Sequence, residues 1–386
     1  MNSKIIKVGY VDNNYATERN IFGNSNNNVI FKRKYDLSLI YRISRRLPFI
    51  GGIMWDPFYN KHYPIYSRDI DLYHLFNRIS FGKTPWITTY ETSLPRYSNN
   101  IDKGLKALSS KYCKKIIALS QNAYDIQIAR LSELLYDSDD IINKILVLHP
   151  PQELYVKSWE DKGVNVEDNL KIVMVGHLFY TKGGKEMLIA IDKLIEKGYE
   201  IKFFIVSMLQ EDTYAAKPSK DDVMLVKKLI NRHSDRIQYI PRLSNIQVIE
   251  LLKKSHLALL CSYAETYGYF VLEAQATGTP VITTDIRAFP ETNNNEIGWI
   301  INVPKDDIGY AKINTKKDRD IFSDIVTDSL YNYIINITEN TNQIKIKGEN
   351  SLKKILSKNN KINYSNILFS IYKNSLGEIR KELFPS

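Results

Sequence analysis

The sequence predicts two α/β domains, each built on a parallel sheet with helices on both faces. The chain has 386 residues, which is too long for one ordinary hydrophobic core and suits two doubly wound domains. Apolar strand-like runs alternate with helix-like segments in both halves, a rhythm typical of parallel sheets. Between the halves, "PPQELYVKSWEDKGVNVEDN" (150–169) is polar and lacks periodicity, which indicates an interdomain linker.

The alternation of strands and helices is clearer in the second half of the chain than in the first. In the first half, strand-like runs occupy 4–12, 71–77, 85–91, 114–120 and 144–150, with helix-like segments at 101–111 and 121–135. In the second half, strands are predicted at 171–176, 200–207, 236–241, 257–262, 280–285 and 298–303. Helices are predicted between them at 184–197, 221–232, 245–254 and 269–277, and beyond 304 at 322–338, 343–358 and 363–376.

These elements predict the domain boundaries. An N-terminal Rossmann-like domain is expected over 1–150, a linker over 151–168 and a second Rossmann-like domain over 169–362. Residues 363–386 form a final helix, which is a candidate to return to the first domain. Two such domains facing each other imply a cleft, the favoured place for a ligand.

Composition and charge narrow the class of protein. With 44% hydrophobic and 25% charged residues the chain reads as ordinary soluble globular material. The start of the chain has no secretory h-region, and the apolar run "LPFIGGIMW" (47–55) is about half of what a spanning helix needs, so no membrane crossing is expected. Cys113 and Cys261 lie in or beside apolar strands, as expected of reduced core residues in a cytoplasmic protein.

The net charge of +10 is concentrated in part in one segment. Residues 31–55 mix apolar side chains with six basic ones, namely Lys32, Arg33, Lys34, Arg42, Arg45 and Arg46. Such a segment suits an anionic membrane surface. It equally suits a solvated helix face packed on its own domain, and the sequence leaves both interpretations open.

Two glutamates stand out in "AETYGYFVLEAQATGTP" (264–280). Eight helical steps of about 100° would leave Glu265 and Glu273 rotated by roughly 80° from each other, and Gly268 argues against one continuous helix. We therefore expect Glu265 in a loop after a strand and Glu273 in the early part of a helix. Loop and helix start would then meet a ligand at the carboxyl edge of a parallel sheet.

A second segment has the composition of an anion site. In "GHLFYTKGGKEMLIAI" (176–191), Gly176 allows a close backbone approach, while His177 and Lys182 supply positive charge ahead of a helix. Neither the G-x-x-x-x-G-K-[ST] nor the G-x-G-x-x-G pattern occurs in the chain. A plain turn with a solvated lysine is the alternative.

Together the two segments resemble a family. "VGHLFYTKGGKEML" resembles the phosphate loop of the large retaining glycosyltransferases with the GT-B fold, and "ETYGYFVLE" resembles their E-x7-E motif. "PETNNNEIGWII" and "NYSNILFSIYKN" are similar to later stretches of the same family. The resemblance is continuous over roughly 171–375, while over 1–150 it is only architectural.

The resemblance implies roles in binding a nucleotide-diphosphate sugar. Lys182 would bind the diphosphate, with backbone amides of Tyr269 and Phe270 at the helix start. Glu273 would accept the ribose hydroxyls. Glu265, with the loop amides around Tyr267 and Gly268, would hold the donor sugar and face an oxocarbenium-like transition state. No metal or other cofactor is expected, because Lys182 and the helix dipole would take its place.

The chain departs from the family in three places. The family usually has Arg where His177 stands, and Arg242 is a candidate to compensate, near where the base should lie. The family's small "GG" is replaced by "RAF" (287–289), which affects the acceptor side. In the first half, "TTYETSLPRY" (88–97) occupies the place of a histidine region, so three of its residues are candidates for donor or acceptor contacts: Tyr90, Glu91 and Arg96.

The expected function is transfer of a sugar, with retention, from a nucleotide-diphosphate donor to a glycan or lipid-linked acceptor such as a surface glycan. An epimerase or hydrolase of sugar nucleotides on the same fold is the alternative enzyme. A non-catalytic binder of nucleic acid or anionic lipid is the alternative class, and it leaves the glutamate pair unexplained. The base, sugar, acceptor and oligomeric state are not fixed by the sequence.

Overall fold

The computed structural model describes residues 5–24, 26–37, 60–64, 68–97, 100–134 and 138–383, with side-chain detail up to 377. These residues divide into two compact units. Unit 1 contains the described residues up to Pro151 and those from Asn359 onward, and unit 2 runs from Gln152 to Lys358. The domain boundaries derived from the sequence stay predictions.

Unit 1 is built on a parallel sheet. Its strands in chain order are β1 Ile6–Tyr10, β2 Val29–Arg33, β4 Leu72–Phe76, β6 Trp86–Tyr90, β7 Cys113–Ala118 and β8 Ile145–Val147, with a small separate pair of β3 Lys61–His62 and β5 Ile79–Ser80. The order across the sheet is β2-β1-β4-β6-β7-β8. β4 and β6 are buried at every position, as expected of central strands covered on both faces.

The helices of unit 1 that precede unit 2 lie between these strands. They are α1 Tyr15–Thr17, which continues into a π-helical segment Glu18–Phe22, then α2 Ile101–Ser109, α3 Gln121–Glu133 and α4 Asp139–Ile142. Ser120 caps α3 by accepting a hydrogen bond from Ala123 N at 3.0 Å. Both ends of α2 and α3 lie within two residues of the helix bounds predicted from the sequence.

Unit 2 has a second parallel sheet. Its strands are β9 Leu170–Val175, β10 Ile201–Val206, β11 Ile237–Ile240, β12 Leu257–Leu260, β13 Val281–Thr284 and β14 Trp299–Ile301. They are ordered β11-β10-β9-β12-β13-β14, so the order reverses between β9 and β12. In such sheets ligands bind outside the carboxyl ends of the strands at the reversal.

The helices of unit 2 cover both faces of this sheet. They are α5 Gly184–Glu196, α6 Lys220–Arg232, α7 Asn245–Lys253, α8 Tyr269–Ala276, α9 Phe289–Thr292, α10 Lys316–Glu339 and α11 Asn342–Lys358. α6, α7 and α10 each begin at a capping box, in which the side chains of the cap and of the third helical residue bond each other's backbone amides. The two-domain α/β prediction is confirmed in its class and in its parallel sheets.

The segment that joins the units packs within unit 2. Trp159 is buried in a 3₁₀ turn, and the amine of the buried Lys162 donates to Leu252 O at 3.2 Å, Thr277 O at 3.0 Å and Thr279 Oγ1 at 2.6 Å. These contacts fix the start of unit 2 against the end of α8.

The last helix, α12 Lys361–Leu383, belongs to unit 1. Tyr364, Leu368 and Tyr372 pack against the sheet residues Val8 and Leu72. Tyr372 Oη also lies 2.7 Å from His74 Nδ1, whose other ring nitrogen lies 2.8 Å from Thr89 Oγ1. The core of unit 1 is therefore completed by residues that follow unit 2 in the chain.

Three expectations from composition can be compared with the structure. Both cysteines are buried and unpaired, as predicted. None of the described helices is long and apolar enough to span a membrane. Of the basic segment 31–55, residues 38–55 lie outside the described part of the chain, so its predicted contact with a membrane surface stays a prediction.

Tyr372→Phe tests how α12 holds unit 1. Burial lowers the pKa of His74 to about 3, so the ring is neutral and needs a partner at Nδ1. Loss of the hydroxyl should lower the free energy of unfolding of unit 1 by about 1–3 kcal/mol, measured as a shift in the urea midpoint. The same change at the exposed Tyr35 should leave the midpoint unchanged, and equal shifts for both variants would contradict the role of Tyr372.

Candidate functional site

The candidate site lies at the carboxyl edge of the unit 2 sheet, where the strand order reverses. β9 pairs in parallel with β12, so the loops that follow them, 176–183 and 261–268, start at neighbouring points. The backbone amide of Tyr263 donates to Thr181 O at 2.8 Å and joins the two loops directly. Residues from two distant segments are thus held in one place.

The two loops approach each other too closely for a side chain between them. Gly183 has φ +79°, and a Cβ there would lie 2.3 Å from Cys261 O. Only glycine accepts both this left-handed backbone and this contact without strain. The glycine thereby sets the distance between the loop after β9 and the loop after β12.

Lys182 and Glu265, 83 positions apart, form an ion pair across these loops, with Nζ 2.6 Å from Oε2. The Lys182 side chain lies against Gly176, where a Cβ would come within 2.7 Å of its Cγ. Glu265 Oε1 accepts a hydrogen bond from Thr266 N at 2.9 Å. The two side chains are 18% and 15% exposed, so the pair is held in place but reachable from solvent.

The α8 helix begins directly beside this pair. Gly268 caps it at φ +84°, and a Cβ at Gly268 would lie 2.5 Å from Phe289 Cε1. Because α8 follows β12, its first amides, those of Tyr269 and Phe270, lie at the carboxyl edge of the sheet. The helix dipole at this end favours an anion.

The two tyrosines around Gly268 have different environments. Tyr267 is 1% exposed and packs beneath the loop, with its ring centroid 5.5 Å from that of the half-buried Tyr269. The side chain of Tyr267 therefore supports the loop, and only its backbone remains a candidate for donor contacts. Phe270 is also buried, so its predicted role likewise rests on its backbone amide.

Glu273 is the fifth residue of α8 and is only 6% exposed. Its Oε1 accepts a hydrogen bond from Asn245 Nδ2 at 3.3 Å, at the first turn of α7. A carboxylate is an acceptor only, so its chemistry suits hydroxyl donors. The structure separates the two glutamates as predicted, with Glu265 in the loop and Glu273 in the helix.

Glu186 supports the site and was missed by the sequence analysis. It is fully buried in the first turn of α5, where its Oε1 accepts from Tyr263 Oη at 2.8 Å and Ser323 Oγ at 2.7 Å. Burial raises the pKa of Tyr263, so the phenol keeps its proton and donates it. Glu186 thus anchors the loop two residues before Glu265, but a glutamate followed by apolar residues in a helix carries no local signal of this role.

The other predicted donor residues of unit 2 lie at the same sheet edge. His177 is exposed in the loop after β9, where its carbonyl lies 3.5 Å from Ser207 Oγ. Arg242 is exposed just after β11, two strands from β9. Neither the His177 nor the Arg242 side chain makes a described contact with the Lys182–Glu265 pair. The predicted roles of His177 and Arg242 stay predictions.

The three candidates of unit 1 have different environments. Tyr90 is fully buried at the end of β6 and packs in the hydrophobic core, and its predicted ligand contact stays a prediction. Glu91 Oε2 lies 3.4 Å from Arg96 Nη1 and 3.2 Å from Asn77 Nδ2. Glu91 directly follows β6, and the predicted contacts of Glu91 and Arg96 with donor or acceptor stay predictions.

Within the part of the chain that the structure describes, no group of three or more His, Cys, Asp or Glu side chains is arranged to hold a metal ion. The expectation that donor binding needs no metal is not tested by this and stays a prediction.

Gly268→Ala and Gly198→Ala form a matched pair that tests the geometry of this loop. Both glycines have positive φ, but a Cβ at Gly198 meets nothing within 4 Å, while one at Gly268 meets Phe289. Gly198→Ala should lower the free energy of unfolding by about 1–2 kcal/mol. Gly268→Ala should lower the free energy of unfolding by about 1–3 kcal/mol more than Gly198→Ala, because the Phe289 ring must move. Equal losses in urea unfolding would show that Phe289 does not restrain this cap.

Comparison with known proteins bears on both units. Residues 156–316 match the sequence profile of the family "Glycosyl transferases group 1". The uncharacterized glycosyltransferase MJ1607 of Methanocaldococcus jannaschii is 27% identical over 154 residues, which cover 38% of this chain and 37% of that protein. The capsular polysaccharide biosynthesis glycosyltransferase CapM of Staphylococcus aureus is 27% identical over 143 residues, covering 35% and 33%. The chain spans about a third of the length of these curated relatives.

Two solved structures are similar to this chain over 96% of its length. A glycosyltransferase from Rickettsia africae is 17% identical with a TM-score of 0.60, covering 96% of this chain and 99% of the other. Anabaena HepE, solved in complex with UDP, is 12% identical with a TM-score of 0.61, covering 96% and 100%. At these identities the likeness establishes the fold. The chain therefore has the GT-B fold, and its residues 156–316 match the group 1 glycosyl transferases.

Proposed function

We propose that the chain transfers a sugar from a nucleotide-diphosphate donor to a glycan or lipid-linked acceptor, with retention of configuration. The observation that carries this proposal is the Lys182–Glu265 pair beside the start of α8. It lies where the strand order of unit 2 reverses, the place at which open α/β sheets bind ligands. HepE, which shares the fold, was solved with UDP-glucose, and this supports a nucleotide-sugar donor here.

The diphosphate of the donor needs positive charge and amide donors. An ammonium group has three donors, and among the described residues Glu265 Oε2 and, at 3.5 Å, Ala264 O accept from Lys182. A third donor can therefore serve a phosphate oxygen while the pair stays in place. The amides of Tyr269 and Phe270 supply the helix dipole to the same anion.

The sugar and ribose would lie on the two sides of this anion. Glu265, in the loop before α8, is placed to accept hydroxyls of the donor sugar, and Glu273, inside α8, to accept those of the ribose. During transfer the bond from the anomeric carbon to the phosphate breaks and positive charge develops on the sugar ring. Lys182 stabilises the departing phosphate and Glu265 the ring, so the ion pair matches both charges of the transition state.

The acceptor proton goes to the leaving phosphate in this mechanism. The acceptor oxygen attacks the same face of the sugar from which the phosphate leaves, which retains the configuration. Orientation of both substrates then supplies most of the rate. No metal takes part in the proposed step, because Lys182 and the helix dipole stabilise the diphosphate.

The acceptor is proposed to be a surface glycan or its lipid-linked precursor. CapM, to which part of the chain is similar, is a capsular polysaccharide biosynthesis glycosyltransferase, and this supports such an acceptor. We propose that the enzyme works on the cytoplasmic side of the membrane and that the basic segment 31–55 contacts the anionic surface.

A panel of nucleotides tests the donor directly. UDP, GDP, ADP and CDP, each alone and as common sugar conjugates, should give a thermal shift for one base. A ligand at a hundred times its dissociation constant stabilises the protein by about 2.7 kcal/mol. No shift with any of them would contradict the proposal. Sugar release or sugar conversion without an acceptor would instead favour a hydrolase or epimerase.

Glu265→Gln and Glu273→Gln should separate the two glutamates. Glu273→Gln should weaken nucleotide binding by about tenfold or more, because the amide replaces one of the two acceptor oxygens. Glu265→Gln should lower kcat by about a hundredfold with little change in nucleotide affinity, because it acts on the transition state.

The matched control is Glu250→Gln, at an exposed glutamate of α7 that pairs with Lys253 at 2.8 Å. Its nucleotide affinity and kcat should equal those of the unmodified chain. Unchanged nucleotide affinity in Glu273→Gln, or full activity in Glu265→Gln, would remove that residue from the site.

A further inference from the structure

Arg287 has a backbone conformation that is uncommon for its residue type. It has φ +50°, in the left-handed region, and is 6% exposed. Non-glycine residues held in this region concentrate at functional sites, where the surrounding structure maintains the strain. Arg287 follows β13, which pairs in parallel with β12, so it emerges at the same carboxyl edge as Glu265.

Two contacts fix the segment around Arg287 against the loop 261–268. Thr284 Oγ1 donates to Ser262 O at 2.9 Å, before Arg287 in the chain. Phe289, after Arg287, packs so closely on Gly268 that a Cβ at the glycine would lie 2.5 Å from its ring. Arg287 therefore lies between two residues that touch the start and the end of the loop carrying Glu265.

The guanidinium of Arg287 is held by a third loop. Its Cζ lies 4.2 Å from the ring centroid of Tyr310, and its backbone amide donates to Gly309 O at 2.9 Å. Asp306 Oδ1 in turn accepts from Tyr310 N at 2.8 Å and closes this loop into a tight turn. The charge is thus positioned before any ligand arrives, which lowers the entropy lost on binding.

The electrostatics of Arg287 connect it to the ion pair. Burial lowers the pKa of the Arg287 guanidinium, and the neighbouring Tyr310, Tyr214 and Glu265 oppose this shift. Both charges also affect Tyr214: burial raises the pKa of its phenol, Arg287 lowers this pKa and Glu265 raises it. In the sheet, β12 lies between β9 and β13, so the loop that carries Glu265 lies between the loop with Lys182 and the segment with Arg287.

The diphosphate of a nucleotide sugar carries two negative charges, and the charge of Lys182 is already opposed by Glu265 at 2.6 Å. With Lys182 as its only cation, the diphosphate would keep an uncompensated negative charge in a partly buried site. A guanidinium keeps its charge at all ordinary pH values and presents two parallel N–H groups to phosphate oxygens.

We propose that Arg287 is a second cationic ligand of the donor site and binds the diphosphate group of the nucleotide sugar opposite Lys182. This inference rests on the proposed function. It assigns to the "RAF" segment a role in donor binding, where the sequence pattern pointed to the acceptor side. Tyr310 acts as the positioning residue that holds the guanidinium.

Calorimetric titration of three variants tests this role. The probes are the nucleoside diphosphate that stabilises the unmodified chain most, and the corresponding nucleoside without phosphate. Arg287→Met, which keeps most of the side-chain length, should bind the diphosphate about ten- to a hundredfold more weakly, with unchanged affinity for the nucleoside. Arg287→Lys should lie between Arg287→Met and the unmodified chain, because it keeps the charge and loses the planar fork.

Arg287→Asn is the third variant, since asparagine adopts left-handed backbone more readily than methionine and retains the loop without the charge. It should reproduce the loss seen with Arg287→Met. Diphosphate affinity equal to that of the unmodified chain in both Arg287→Met and Arg287→Asn, with both variants folded, or a parallel loss of nucleoside affinity, would overturn the role of Arg287. No binding of any nucleotide by the unmodified chain would instead overturn the proposed function.

Discussion

The ion pair between Lys182 and Glu265 is the interaction on which the candidate site depends. It joins the loops that follow β9 and β12, which the sheet brings together because the strand order reverses between these two strands. Gly183 permits the two loops to approach each other closely. Glu186 anchors the loop after β12 by accepting a hydrogen bond from Tyr263. The pair also fixes a cation beside an anion, the charge arrangement that transfer of a sugar from a diphosphate requires.

The sequence predicted the architecture of unit 2 closely because its strands are short, apolar and bounded by turn residues. The helix predicted at 269–277 was found at Tyr269–Ala276, with Gly268 as its cap, and the strand at 257–262 was found at Leu257–Leu260. Glu265 and Lys182 were assigned to one donor site because the two segments that carry them together resemble the GT-B glycosyltransferases. In the structure the two residues meet because parallel strands place their following loops at one edge.

Other features left no local signal. β2, Val29–Arg33, was missed because it is an edge strand with partly exposed positions and two basic residues, so it lacks the apolar run of a buried strand. Glu186 and Ser323 meet across 137 positions, which no short pattern records. The role of Arg287 depends on its left-handed backbone and on Tyr310 from a later loop, and neither can be read from the letters "RAF".

The most direct test of the central claim is a crystal structure of the chain with a bound nucleoside diphosphate. The diphosphate is expected within hydrogen-bond distance of Lys182 Nζ and of the amides of Tyr269 and Phe270, at the start of α8. The ribose hydroxyls should lie against Glu273. A nucleotide bound away from this edge of the unit 2 sheet, with the Lys182–Glu265 pair not touching it, would contradict the assignment of the site.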